Sequence, residues 1–375
     1  MKSRIFISSL ALLFSYYCFA QSNIEKIKQG ISSAQRLENR MKYDSASYFY
    51  YSASELALQI DDSVLYNYIK RKIGRLYITK GDSDSAKMLL TEVWNFAFRN
   101  KNDTLRAQSE NSLGWIFMDE KLMANALNYY ESALSISEKE EDTVGLFTSY
   151  FNLSNYYNDQ AEFNSSLEYA LKSIQTAESK KLDRNDYMKA ILNLGNVYEK
   201  FELYDSALNC YEKVYSYSIK NENINLAFKS VYNKALVFTR LAAVEIANND
   251  IEKANGYYSK AKNLYEQLID IIEPVSDYRN TALLYNSLGI LYKKQGNIAE
   301  AKEYYKQALK FAGMANDLNN KVRILKNIGM LYRKQGDFKT AEKYFNESLA
   351  LADSTYYKLG EMEAYNSLAV LPLPE

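Results

Sequence analysis

A small residue returns along this 375-residue chain at a nearly constant step, at Ala34, Gly74, Gly114, Ser154, Gly195, Ala235, Gly289, Gly329 and Ala369. The intervals are 40, 40, 40, 41, 40, 54, 40 and 40 residues, so the chain is a tandem repeat, and no other feature constrains its fold as strongly. Three positions after each of the first eight stands a large apolar or aromatic residue: Leu37, Tyr77, Phe117, Tyr157, Tyr198, Phe238, Tyr292 and Tyr332. Twelve positions after the small residue, in every full unit but the sixth, comes a second small one: Ala46, Ala86, Ala126, Ser166, Ala207, Ala301 and Ala341. Four positions further stand Tyr50, Leu90, Tyr130, Ala170, Tyr211, Tyr305 and Phe345. Spacings of three and four place such residues on one stripe of a helix. Each unit therefore reads as two amphipathic helices, A and B, brought close by their small residues.

Composition supports this and narrows the chemistry. Three prolines and thirteen glycines agree with long uninterrupted helices. Lys plus Arg and Asp plus Glu both number 46, which leaves no net field to attract nucleic acid or an anionic membrane. Histidine is absent, and with it the usual general base near neutral pH and the commonest transition-metal ligand. No two glycines lie closer than seven residues, which excludes phosphate-cradling and dinucleotide-binding loops. The expectation is a chain without catalysis, cofactor or metal.

The N-terminus reads as a targeting segment. Lys2 and Arg4 precede the mostly apolar stretch 5–14, and Cys18-Phe19-Ala20 before Gln21 offers small residues for signal-peptide cleavage near Ala20. Lipid attachment at Cys18 is disfavoured, because Ser15-Tyr16-Tyr17 does not form a lipobox. The sequence thus predicts an exported chain, periplasmic or secreted, with a leader at 1–20, repeats over 21–371 and a tail at 372–375. No later stretch is long and apolar enough to span a bilayer. Without Cys18, Cys210 is the lone cysteine and no intrachain disulfide can form.

The sixth unit departs from the period. Its second small residue is Ala254, nineteen after Ala235, and the step from Ala254 to Gly289 is 35 residues where the neighbouring units have 28. Seven extra residues on each side amount to about two helical turns, which keeps the stripes facing. One lengthened hairpin is predicted over 228–272, ending near Pro274, with Asn248, Asn249 and Asp250 at its tip; neutral and functional insertions both remain open. Gly81, Gly296 and Gly336 fall where A turns into B, and Asp62, Asp103 and Asp142 are expected to cap the next A helix.

The run Asn286-Ser287-Leu288-Gly289-Ile290-Leu291-Tyr292, followed by Ala301, Tyr305 and Ala308, resembles the tetratricopeptide repeat. Eight full units and one half cover roughly residues 27–371. The 40-residue period resembles long variants of the family in bacterial sensors and regulators. Two departures stand out. Gly30, Lys70 and Glu110 replace the family's early aromatic of helix A, and the proline after helix B is missing almost throughout.

The resemblance implies an all-α, right-handed superhelical solenoid of helix-turn-helix repeats. It also implies a concave groove lined by positions 2, 5, 6, 9, 12 and 13 of each A helix. Those positions carry Asn111, Asn152, Asn155, Asn193, Asn196, Asn233, Asn286 and Asn327. Such a ladder resembles that of peptide-binding members, where carboxamides pair with the backbone of an extended peptide; asparagine there equally often serves the fold. Arg71, Arg75, Arg323, Lys326, Arg333 and Lys334 also reach the groove, as anion holders or as a solvated face. The family's carboxylate clamp spans three consecutive units, and no such triplet is matched. Tyr129, Tyr169, Tyr257, Tyr304 and Tyr344 read as packing between helices.

Two functions follow as expectations. One is a scaffold binding a protein or extended peptide in the groove, without cofactor, nucleic acid or integral membrane segment. The other is the input region of a histidine kinase or transcriptional regulator lacking its transmembrane and effector parts. The final half unit leaves Leu368 and Leu371 without a covering helix. Either a partner, such as a second copy of the chain, covers that end, or the chain is a shortened form of a longer one.

Overall fold

The computed structural model describes residues 2–273, 277–354 and 357–371, with side chains from Gln21 onward apart from Lys358. The side chains of the leader at 1–20, Pro274 and the tail at 372–375 lie outside the described residues. Among those described there is no strand. The fold is all-α, a succession of antiparallel helix pairs. Two compact units divide the chain, residues 1–117 with 124–153 and residues 118–123 with 154–375.

The first unit holds α1 (Lys2–Asn39), α2 (Tyr43–Gln59), α3 (Ser63–Lys80), α4 (Ser83–Arg99), most of α5 (Asp103–Asp119), most of α6 (Met123–Lys139) and the start of α7 (Thr143–Asp159). The second continues from α7 into α8 (Phe163–Ser179), α9 (Arg184–Lys200), α10 (Tyr204–Lys220), α11 (Ile224–Ala247) and α12 (Ile251–Ile272). It ends with α13 (Tyr278–Lys294), α14 (Ile298–Met314), α15 (Leu318–Lys334), α16 (Phe338–Ser354) and α17 (Lys358–Ala369). Odd helices are the A helices and even ones the B helices. Helix α1 is unbroken through Ala20. Among the described residues no helix is long and apolar enough to cross a membrane.

The turns show why helices of 17 residues recur. The chain steps into the left-handed region for one residue, Gly81 at φ 79° after α3 and Lys101 at φ 52° after α4. The next residue does two jobs. Asp82 donates its N–H to Tyr77 O at 3.0 Å, closing α3, and its carboxylate accepts from Ser85 N at 3.1 Å, opening α4. Asp62 and Asp142 cap as the sequence implies, accepting from Leu65 N at 2.8 Å and Val144 N at 3.1 Å. The cap expected at Asp103 lies one residue earlier, where Asn102 Oδ1 accepts from Leu105 N at 3.0 Å; Asp103 sits inside the first turn and pairs with Arg106 at 3.2 Å. The single 41-residue interval arises from one added linker residue, Leu182, before the cap Asp183.

The core is the contact between A-helix glycines and B-helix rings. A Cβ placed on Gly195 would lie 2.6 Å from the Tyr211 ring, and one on Gly329 would lie 2.5 Å from the Phe345 ring. Where the B residue is Ala170, the A residue is Ser154, and reciprocal hydrogen bonds fill the space: Ser154 Oγ to Ser166 O at 2.9 Å and Ser166 Oγ to Ser154 O at 2.8 Å. Beside each contact the second aromatic of helix A stacks on the tyrosine before the B stripe. Phe117 lies on Tyr129, Tyr157 on Tyr169, Phe238 on Tyr257, Tyr292 on Tyr304 and Tyr332 on Tyr344, with ring centroids 5.0–6.0 Å apart. Helices α11 and α12 have 24 and 22 residues and meet at Asn248, Asn249 and Asp250.

Candidate functional site

In each compact unit the A helices carry polar residues that sort into two groups. Most of the asparagines form the first. Asn111 Nδ2 donates to Ser149 Oγ at 2.9 Å, while its Oδ1 accepts from Asn152 Nδ2 at 3.0 Å, so α5 and α7 are tied within the first unit. In the second unit Asn193 Nδ2 donates to Ser154 Oγ at 2.8 Å, Asn233 Nδ2 to Asn196 Oδ1 at 2.7 Å and Asn327 Nδ2 to Asn286 Oδ1 at 2.9 Å. Tyr211 OH also donates to Asn196 Oδ1, at 2.9 Å. Asn111, Asn152 and Asn193 are buried, and Asn155 is half-buried. The seven tied carboxamides thus connect α5 to α7, α7 to α9, α9 to α11 and α13 to α15. The Asn193 Oδ1 is buried without a partner among the described residues.

Cations form the second group, and their pairing differs. Lys326 Nζ lies 2.6 Å from Glu363 Oε2, and Arg323 donates to Asn320 Oδ1. Arg333 and Lys334 sit at the C-terminal end of α15, where Lys334 Nζ donates to Lys293 O at 3.3 Å. Arg71 and Arg75, one turn apart on α3, make no ion pair among the described residues. Arg71 is only 7% exposed and faces the Tyr68 ring, its guanidinium carbon 5.5 Å from the centroid. Burial first, and then the charge of Arg75, hold its pKa down at about 10.

Three lysines of the second unit and a tryptophan of the first also stand at these A-helix positions and were not singled out by sequence reasoning. Lys229 stands at position 2 of α11 and makes no ion pair or hydrogen bond among the described residues. Protein around it displaces bulk water, and that loss of solvation, with Lys189 adding to it, pushes its pKa down to about 8. Lys293 and Lys294 end α13; burial and then the charges of Lys294, Lys326, Lys334 and Arg333 press the Lys293 pKa to about 8. Trp115 of α5, at position 9, keeps 39% of its surface exposed. Reading the same six positions for cations and aromatics, as they were read for asparagine, finds all four.

Burial raises the Cys210 thiol pKa, with Lys213 only partly opposing it, so the sulfur stays protonated and a poor nucleophile. A hollow of about 210 Å³ between α2, α3 and α4 is lined by Tyr51, Ser54, Tyr66, Lys70, Ile73 and Leu89, and Lys70 is ion-paired with Glu92.

Models of the tetratricopeptide repeat match residues 107–140, 190–222, 234–313 and 322–354. No curated protein matches the sequence. Among solved structures, a Rap protein complexed with competence and sporulation factor is similar at 15% identity and TM-score 0.57, covering 92% of this chain and 97% of its own. The Rap conjugation gene regulator of plasmid pLS20, in complex with the Phr* peptide, is similar at 17% identity and TM-score 0.55, over 81% and 76% of the two chains. The apo quorum sensor NprR of B. thuringiensis is similar at 14% identity and TM-score 0.54, over 92% of each. At these identities the likeness is one of fold.

Proposed function

We propose that this run of tetratricopeptide repeats is an exported, non-catalytic scaffold that binds a protein or extended peptide along the face of its A helices. The observation that carries this reading is the division of that face. Asparagines tie A helices to one another within each unit, whereas Arg71 and Arg75 of the first unit and Lys229 and Lys293 of the second make no ion pair among the described residues, and Trp115 of the first keeps an exposed indole. Unpaired cations and an exposed indole on A helices are the groups a recognition surface offers to an acidic or aromatic partner. Support also comes from similarly folded proteins solved with competence and sporulation factor and with the Phr* peptide. The likeness to a quorum sensor favours a second reading, the input region of a signalling protein, which would use the same face.

The test is capture from an envelope extract of the native cells by the chain and by a Trp115→Ala/Lys229→Glu/Lys293→Glu variant with unchanged helicity. A partner held by the first and released by the second supports the A-helix face. Equal retention by both overturns it. Export is tested separately by mass spectrometry: a mature N-terminus at Gln21 supports it, and a chain from the envelope that retains Met1 does not.

A further inference from the structure

Arg71 poses a physical problem that the fold alone does not resolve. Its guanidinium carries five N–H donors and a fixed charge, yet its Nε is sealed from water with no partner. Among the described residues it makes no hydrogen bond or ion pair. The Tyr68 face offers partial electrostatic compensation but accepts no hydrogen bond in the guanidinium plane. The one carboxylate whose charge reaches it is committed elsewhere. Asp142, whose charge Arg71 feels, caps α7 through Val144 N and accepts from Gln108 Nε2 at 3.3 Å. A buried cation without a counter-charge is costly, and the second guanidinium one turn along α3 increases that cost. Both would be relieved by one incoming anion.

We propose that Arg71 and Arg75 form a carboxylate-binding pair for an acidic side chain or terminal carboxylate of a peptide lying along the A helices. A planar fork suits a carboxylate, and two forks one turn apart can grip both oxygens. Trp115 occupies on α5 the repeat position that Arg75 occupies on α3, so an apolar neighbour of the acid meets an exposed indole. The pair stands on a single helix and needs no residues from three successive units. This inference rests on the binding face proposed above and names the chemistry it selects.

The probes are three N-acetylated octapeptides of one neutral sequence. One carries two central glutamates and an amidated end, one has no acid but a free C-terminal carboxylate, and one is neutral and amidated. Fluorescence anisotropy at low salt is expected to show an acidic peptide binding the full chain at least about tenfold more tightly than the neutral amide, with the preference lost in Arg71→Gln/Arg75→Gln. Whichever acidic peptide binds identifies the source of the carboxylate. Equal binding of all three overturns the carboxylate pair while leaving the face intact. A preference that survives the double variant, or no binding by any peptide, also overturns it. Thermal melting separates a packing role: Arg71→Gln is expected to melt at or above the parent temperature, because an uncompensated buried charge is gone, and a clear fall assigns Arg71 to the core instead. Arg75→Gln, on an exposed side chain, keeps the binding test valid in either case.

Discussion

At the scale of single residues, packing is decided by which atoms lack room or a partner. Gly329→Ala puts a Cβ into the Phe345 ring, so we expect a loss of about 1–3 kcal/mol in urea unfolding, the usual cost of overpacking. Two buried tyrosines offer a sharper contrast. Tyr211 OH has two acceptors for its one hydrogen, Asn196 Oδ1 at 2.9 Å and Glu199 Oε2 at 3.2 Å, whereas Tyr305 OH is buried without a partner among the described residues. Tyr211→Phe should therefore cost about 1 kcal/mol or more, while Tyr305→Phe should be neutral or stabilising, both read from urea midpoints. The glycine-to-ring contacts were legible in the sequence, because a glycine and an aromatic at fixed offsets have few other physical explanations. The isolation of Arg71 was not, since its burial depends on side chains of other helices that a single position cannot reveal.

Among elements, the ties between successive A helices matter most. Asn111 and Asn152 are 41 positions apart and exchange an amide hydrogen bond, while Asn111 also holds Ser149. Asn152→Ala leaves a buried carbonyl oxygen unpaired and should cost about 1–3 kcal/mol. A double-mutant cycle with Asn111→Ala should give a coupling energy of at least about 0.5 kcal/mol in urea unfolding; additive effects would show that the tie contributes nothing. Helix pairing, the turns and most of the caps could be read from periodicity and turn chemistry. What the amides do could not, because a carboxamide at a given A-helix position suits a neighbouring helix as well as a peptide, and only distances separate the two. The cap at Asn102 shows the ordinary limit, a one-residue ambiguity where two capping residue types are adjacent.

For the molecule as a whole, the absence of histidine leaves the range around neutral pH without its usual titrating group, and lysines and tyrosines govern the range above it. Lys229 and Lys293 titrate near 8 when folded, below the ~10.4 of an unfolded lysine, so between these values the unfolded chain holds more protons and stability rises with pH. Tyr50, Tyr211, Tyr265 and Tyr305 work in the opposite sense. Burial raises their folded pKa above the ordinary 10.0, so their stabilisation is complete below pH 10 and is lost above it as the unfolded chain ionises first. Urea midpoints should thus climb from about pH 8, peak near pH 10 and then fall, and Lys229→Met/Lys293→Met should flatten the climb.

The turns also bear on how such a gene can change. Asp62, Asn102 and Asp142 each end one helix with their own N–H and start the next with their side chain, at steps of forty residues. Cutting out 103–142 would splice Asn102 directly onto Thr143, keeping a capping side chain in front of an A helix. A chain so shortened is expected to keep its helicity per residue and a single cooperative melt, whereas a broad or split transition would show that neighbouring repeats are not interchangeable. Recombination in steps of one hundred and twenty nucleotides would then alter the reach of the binding face while leaving every surviving joint chemically whole.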